Sequence, residues 1–389
     1  MSDVKIPILN LQEQYRNLKD EIQAAVNGVL DSGQFILGPE VSRFEQEVAE
    51  YLGTKHAIGV NSGTDALIIG LRALGIGPGD EVISTPFSFF ATAESISNVG
   101  AKPVFADIDA ATFNIDPAGI EAKIGPRTKA IMPVHLYGNP AAMAAILQLA
   151  EAHKLKVIED CAQSFGARYA GGCRGCDDRC DDKIRSAVTG KQTGSMGHVG
   201  AFSFFPTKNL GAYGDAGLIS TNDDGIAELA RKLRVHGGLQ RYRNEMLGYN
   251  SRLDSLQAAI LRVKLNYIDA WNQQRRAIAQ RYSQLLADVA GVLVPALEEG
   301  HVFHQYTVRI LDGKRDAVRQ FLCERGIASM VYYPIPQDRL PVYEGQYPAN
   351  VTSDRVGKQV LSLPIYPELK FEHVDWVAMA IAEAMRSLP

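Results

Sequence analysis

Lys208 stands between an aromatic run, Phe202-Ser203-Phe204-Phe205, and a turn holding Gly211, Gly214 and Gly217. Burial disfavours the charged form of an amine and lowers its pKa. A neutral amine attacks a carbonyl carbon and forms a Schiff base. The glycines let the backbone approach a bound group closely. The same segment also suits a lysine that covers the loop with its stem and keeps its head in water. Partners elsewhere in the chain must separate the two readings.

If the carbonyl belongs to pyridoxal phosphate, the lysine needs three kinds of partner. An acid must hold the ring nitrogen, because the protonated ring is the electron sink. Backbone N–H groups and hydroxyls must hold the phosphate, best at a helix N-terminus. The ring needs an apolar face.

Lys156-Val157-Ile158-Glu159-Asp160 reads as a short buried strand ending in charge, and α/β proteins place ligands at the carboxyl ends of parallel strands. Asp160 is the candidate acid, and Gln163 follows closely enough to reach the ring's phenolic oxygen. The plain alternative is a solvated strand end. Asn61-Ser62-Gly63-Thr64-Asp65 lies between an apolar run, Ala57 to Val60, and a helical pattern, Leu67, Leu71 and Leu74. Gly63 and Thr64 therefore open a helix and offer N–H groups to a phosphate, or form an ordinary cap without a ligand. Phe87, Phe89 and Phe90 are the aromatic candidates, two of which are expected to pack in the core.

Cradle, aromatic, acid and lysine occur in that order. With Ile36-Leu37-Gly38-Pro39-Glu40, Gly248-Tyr249-Asn250-Ser251-Arg252, Tyr333-Pro334-Ile335-Pro336 and Leu361-Ser362-Leu363-Pro364, the chain resembles, over nearly its whole length, the DegT/DnrJ/StrS family of pyridoxal-phosphate-dependent nucleotide-sugar aminotransferases. That resemblance implies the aspartate aminotransferase fold (fold type I), with Lys208 carrying the cofactor. Asp160 pairs with the pyridine nitrogen, Gln163 touches the ring oxygen and Phe89 stacks on the ring. Ser203 binds the phosphate with Gly63 and Thr64. Asn250 reaches the phosphate of a partner's cofactor, which implies a homodimer with shared active sites. Arg252 and Tyr333 are the implied substrate contacts, although Arg252 also suits an ion pair with Asp254.

The implied donor is L-glutamate. The implied acceptor is a UDP- or dTDP-linked 3-keto hexose or hexuronate, with C4 keto-sugar and cyclitol aminotransferases as alternatives. A non-enzymatic regulatory protein that binds the cofactor is a further one. Related dehydratases replace the lysine with histidine, so Lys208 argues against them.

The elements that must position these residues follow from the pattern. At 389 residues, 46% hydrophobic and 22% charged, the chain has ordinary globular composition and length for two domains. Forty basic against 44 acidic residues give a net charge of −4. No polybasic surface points to nucleic acid, no apolar run is long enough to cross a bilayer, and the first residues lack a secretory core, so a cytoplasmic protein is expected.

Short apolar strands, Glu81–Ser84, Lys102–Ala106, Lys129–Val134 and Lys156–Glu159, alternate with helical stretches. The alternation predicts an α/β fold with a mainly parallel, seven-stranded-type sheet covered by helices. A helix is predicted over 12–31, and one long helix from Arg252 to about Leu286. Gln305–Ile310 reads as a strand. Residues 1–250 then form the large cofactor domain, and 251–389 a linking helix with a smaller α+β domain. An insertion over about 171–195 carries Cys173, Cys176 and Cys180. These suit zinc or an iron–sulfur cluster only with a fourth ligand such as His198; the ordinary alternative is a surface loop with reduced thiols. Cys161 and Cys323 are expected to pack in apolar surroundings.

Overall fold

A computed structural model of the chain describes residues 5–172, 180–240 and 242–388. Seven strands form one sheet: β1 (His56–Val60), β2 (Glu81–Ser84), β3 (Lys102–Phe105), β4 (Thr128–Met132), β5 (Lys156–Asp160), β6 (Val199–Ser203) and β7 (Gly217–Thr221). Their order is β1-β7-β6-β5-β4-β2-β3. Strands β2 to β6 pair in parallel, while β7 runs antiparallel to both β6 and β1.

Side chains alternate across a strand, so both faces of this sheet must be apolar. Ile58, Val82, Ala130, Ile158, Val199 and Ile219 face one buried cluster with the helices Gly63–Ala73 and Asp224–Leu233. Their neighbours on the opposite face join two others. Ile83, Ile131 and Val157 pack with the helix Met143–Ala152. Ala57, Phe202 and Leu218 pack with the helices Leu11–Ser32, Pro39–Leu52 and Ser255–Leu265. The mainly parallel α/β sheet expected from the alternation is therefore present.

A second, antiparallel sheet joins β8 (Val292–Leu293), β9 (Tyr306–Ile310) and β10 (Val360–Leu363) in the order β10-β9-β8. It shares a cluster with the helices Ile268–Leu286 and Phe371–Ser387, and Ile6 from the start of the chain fills the same core.

Two expectations need correction. The single helix from Arg252 to Leu286 is two, Ser255–Leu265 and Ile268–Leu286. At the join the Tyr267 N–H donates three residues back, to Lys264 O at 3.0 Å, a tight 3₁₀-type turn. The Tyr267 hydroxyl is held outward by Glu21 at 2.6 Å. The apolar spacing runs through this turn unbroken, so periodicity could not reveal it. Cys323 is exposed, because the helix Arg315–Glu324 turns Val318 and Leu322 inward and Cys323 away. Cys161 is buried as expected.

Within the insertion, a helix spans Asp182–Val188, capped by the Asp181 carboxylate on the Lys183 N–H. Cys173 and Cys176 lie outside the described residues. Cys180 is buried in the apolar cluster beside Val188 and Tyr169. His198 uses Nδ1 to accept from the Val157 N–H at 3.1 Å.

Candidate active site

The carboxyl ends of β1, β5 and β6 open into a cavity of about 700 Å³. Gly63, Thr64, Phe89, Asp160, Gln163, Ser203, Lys208 and Tyr333 all line it. The structure thus brings together eight residues that the sequence singled out.

Asp160 ends β5 and is 4% exposed. Its Oδ2 accepts from the Thr92 hydroxyl at 2.8 Å, and its Oδ1 accepts from the Ala162 N–H at 3.2 Å. Burial pushes the carboxyl pKa up, and these bonds with the Lys208 charge oppose the shift without cancelling it. Lys208 follows β6 on the turn that leads to β7, half-buried, its amine without a hydrogen bond among the described residues. Burial lowers its pKa to about 8, against the pull of Asp160. The amine is thus tuned toward the neutral form that attacks carbonyls.

The cradle is a helix start. Ser62 caps the helix Gly63–Ala73 by accepting from the Asp65 N–H at 3.1 Å. Helix geometry leaves the N–H groups of Gly63 and Thr64 without an intrahelical acceptor. A Cβ on Gly63 would lie 2.5 Å from the Ser203 Cβ, so only glycine lets the helix start meet the end of β6. At Gly217 a Cβ would come within 2.2 Å of Ser62 O, which keeps the neighbouring strand as close.

Gln163 is fixed at both ends of its amide. Its Oε1 accepts from the Tyr137 N–H at 2.6 Å, and its Nε2 donates to the Tyr333 hydroxyl at 3.1 Å. Of the three phenylalanines, Phe87 is fully buried and Phe90 packs against Tyr343, leaving Phe89 on the cavity wall beside Tyr333. Asn250 and Arg252 do not line this cavity. Asn250 is exposed, and Arg252 makes no ion pair, with Asp254 or otherwise, among the described residues.

Sequence reasoning passed over three lining residues. Thr92 lay inside the aromatic segment, but its bond to Asp160 crosses 68 positions. Arg275 and His304 come from beyond the large sheet and carry no local signature. Behind the acid, Glu159 is fully buried and accepts from the N–H groups of Gly194, Met196 and Gly197 and from His135 Nε2. His135 Nδ1 accepts from the Ala141 N–H, so Nε2 carries the proton. These bonds occupy both ring nitrogens of His135 and both carboxylate oxygens of Glu159, and tie the two into a buried node beside Cys161.

The donor set fits pyridoxal phosphate: a buried carboxylate short of compensating charge, a lysine amine of lowered pKa, free N–H groups at a helix start and an aromatic wall. A site of this kind on a parallel α/β sheet defines a pyridoxal-phosphate-dependent aminotransferase. The chain belongs to the DegT/DnrJ/EryC1/StrS aminotransferase family, which it matches over residues 16–382.

Among curated relatives, it is 50% identical to the pleiotropic regulatory protein of Geobacillus stearothermophilus, covering 98% of this chain and 99% of that one. It is 44% identical to the UDP-N-acetyl-3-dehydro-alpha-D-glucosamine 3-aminotransferase of Acidithiobacillus ferrooxidans, over 98% of each chain. Among solved structures, NtdA of Bacillus subtilis with bound cofactor PMP superposes with a TM-score of 0.89 at 32% identity, covering 100% of this chain and 87% of that one.

Proposed function

We propose that the enzyme moves an amino group from L-glutamate to the C3 keto group of a UDP- or dTDP-linked hexose or hexuronate. The carrying observation is the pairing of Lys208 with Asp160 in one cavity, opposite the helix start at Gly63 and Thr64. Likeness to a relative named as a UDP-sugar 3-aminotransferase supports the choice of acceptor.

When bound, pyridoxal phosphate supplies an electron sink for a carbanion at the substrate carbon. Lys208 would be the residue that carries the cofactor, and its Nζ, once free, would take the proton from the donor's Cα. In the reverse half, Nζ delivers a proton to C3 of the sugar. Asp160 would keep the ring nitrogen protonated, and Gln163 would donate to the ring oxygen. Phe89 would cover the ring face. Gly63, Thr64 and Ser203 would hold the phosphate through N–H and hydroxyl donors. Tyr333, half-buried beside Gln163, would meet the substrate.

Asn250 and Arg252 act in a second subunit's site. Their absence from their own cavity supports this, as does an exposed apolar stretch on the same segment, Leu239, Tyr242 and Leu247. A second reading, regulation without turnover, draws on the name of the Geobacillus relative. The intact lysine and acid favour catalysis. The deciding experiment mixes purified protein, L-glutamate and a UDP-linked 3-keto sugar. Equal amounts of 2-oxoglutarate and amino sugar are expected. A cofactor that L-glutamate leaves unconverted would overturn the catalytic reading; turnover of 4-keto but not 3-keto sugars would overturn the acceptor.

A further inference from the structure

His304 lies just before β9 and is 9% exposed, yet its ring lines the catalytic cavity. Two anchors fix its place. The Arg275 guanidinium donates through Nη1 to the carbonyls of Phe303, His304 and Ile365, which pins the backbone. His304 Nδ1 meets Asn209 Oδ1 at 3.0 Å, which pins the ring. Asn209 is the residue after Lys208.

The protonation state of the ring follows from hydrogen-bond logic. A backbone carbonyl only accepts. Asn272 Nδ2 donates to Phe165 O at 3.2 Å, so Asn272 presents its oxygen to Asn209. Asn209 Nδ2 donates to that oxygen at 2.8 Å and to Val302 O at 3.2 Å. Asn209 must therefore turn its own oxygen toward His304, and that oxygen accepts. His304 Nδ1 carries the proton, and Nε2 keeps a bare lone pair with no partner among the described residues. A second proton on the ring is opposed by burial and by the charges of Lys208 and Arg275.

We propose that His304 is a positioning residue for Lys208: its unprotonated Nε2 accepts a hydrogen bond from the lysine amine after release from the cofactor, and orients Nζ without taking its proton. A stronger base there would strip the proton that the lysine has to carry. A neutral imidazole hemmed in by two cations directs the amine and leaves its proton in place. The Asn209 link makes the arrangement concerted, since one residue fixes the ring and adjoins the lysine backbone.

The proposal rests on Lys208 as the cofactor-bearing lysine, and cofactor-free protein separates the two claims. In ¹⁵N-histidine-labelled wild-type protein at about pH 7, His304 is expected to carry its proton on Nδ1, with its resonance assigned by loss in His304→Asn. A proton on Nε2 would overturn the proposal whatever any variant does.

The second measurement follows acetylation of Lys208 against pH by mass spectrometry. His304→Asn keeps a donor for Asn209 and removes the acceptor at Nε2. It should move the reactivity midpoint down by about one pH unit, the value of one charge-assisted hydrogen bond. His304→Gln places an amide oxygen near the lost Nε2 and should restore the midpoint. An unmoved midpoint in His304→Asn, or equal shifts in both variants, would reduce His304 to a packing role. In the loaded enzyme, His304→Asn should slow the single-turnover half-reaction with L-glutamate about tenfold without loss of bound cofactor.

Discussion

Thr92→Val isolates the support of the active-site acid. Thr92 has one hydroxyl proton, and it goes to Asp160 Oδ2 at 2.8 Å, so Ser88 must donate to Thr92 at 3.0 Å. Valine keeps the shape, removes the donor to the carboxylate and leaves Ser88 to find another acceptor. A hydrogen bond to a charged group contributes about 1.5–3 kcal/mol net, so its loss raises the Asp160 carboxyl by about one to two pH units. A weaker hold on the ring proton slows proton removal from the substrate carbon by about ten- to a hundredfold. The assay is single-turnover absorbance of the loaded enzyme with L-glutamate, beside thermal unfolding of the cofactor-free protein. The unfolding midpoint should hold, because Asp160 without its donor takes up a proton. A Thr92→Val rate within about twofold of wild type, a change worth only about 0.4 kcal/mol, would refute the idea that this bond tunes the acid.

Other outcomes follow from the same geometry. Gly63→Ala drives a Cβ to 2.5 Å from Ser203; overpacking costs about 1–3 kcal/mol, so equilibrium dialysis should show cofactor affinity about ten- to a hundredfold weaker, and unchanged affinity would count against the cradle. Cofactor loading needs neutral Lys208, whose pKa is held near 8, so loading should slow about tenfold for each pH unit below that value; a midpoint near that of a free lysine would contradict the burial argument. Lys208→Ala and Arg252→Ala should each be inactive, yet mixed and refolded together should regain about one quarter of wild-type sites if the sites are shared across a two-fold axis; no recovery would place Arg252 outside the partner's site. Glu159→Gln turns an amide NH2 onto two of its four donors, either the Met196 and Gly197 N–H groups or the Gly194 N–H and His135 Nε2, and urea unfolding should show a loss of about 3 kcal/mol; a loss under about 1 kcal/mol would show that the node is not needed.

How much of this was legible depended on whether a residue's role is local. Lys208, Asp160, Gly63 and Thr64 take their roles from their own strand or helix ends, and a strand–turn–helix junction is visible in sequence. Thr92 declares itself only through Asp160, and His304 only through Asn209, contacts made by folding across 68 and 95 positions. The turn at Tyr267 was hidden because the apolar spacing continues through it. Cys161 is buried as its apolar context implied, while Cys323 is not, since the faces of a helix decide burial and Cys323 fell on the outer one.

The pairing of β5 with β6 places Asp160 opposite Ala201. Asp160 thus stands beside the strand whose following turn carries Lys208, and both line one cavity. The whole cysteine-bearing insertion hangs between these two strands, and its return is clamped where Gly194, Met196 and Gly197 bond Glu159. The clamp fixes where the chain re-enters the sheet, so the register of β6 against β5 is set at Glu159 and not by the length of the segment before it. A change in that segment that spares the core contacts of Cys180 and Val188 should leave the register of the two strands, and with it the cavity at their carboxyl ends, in place.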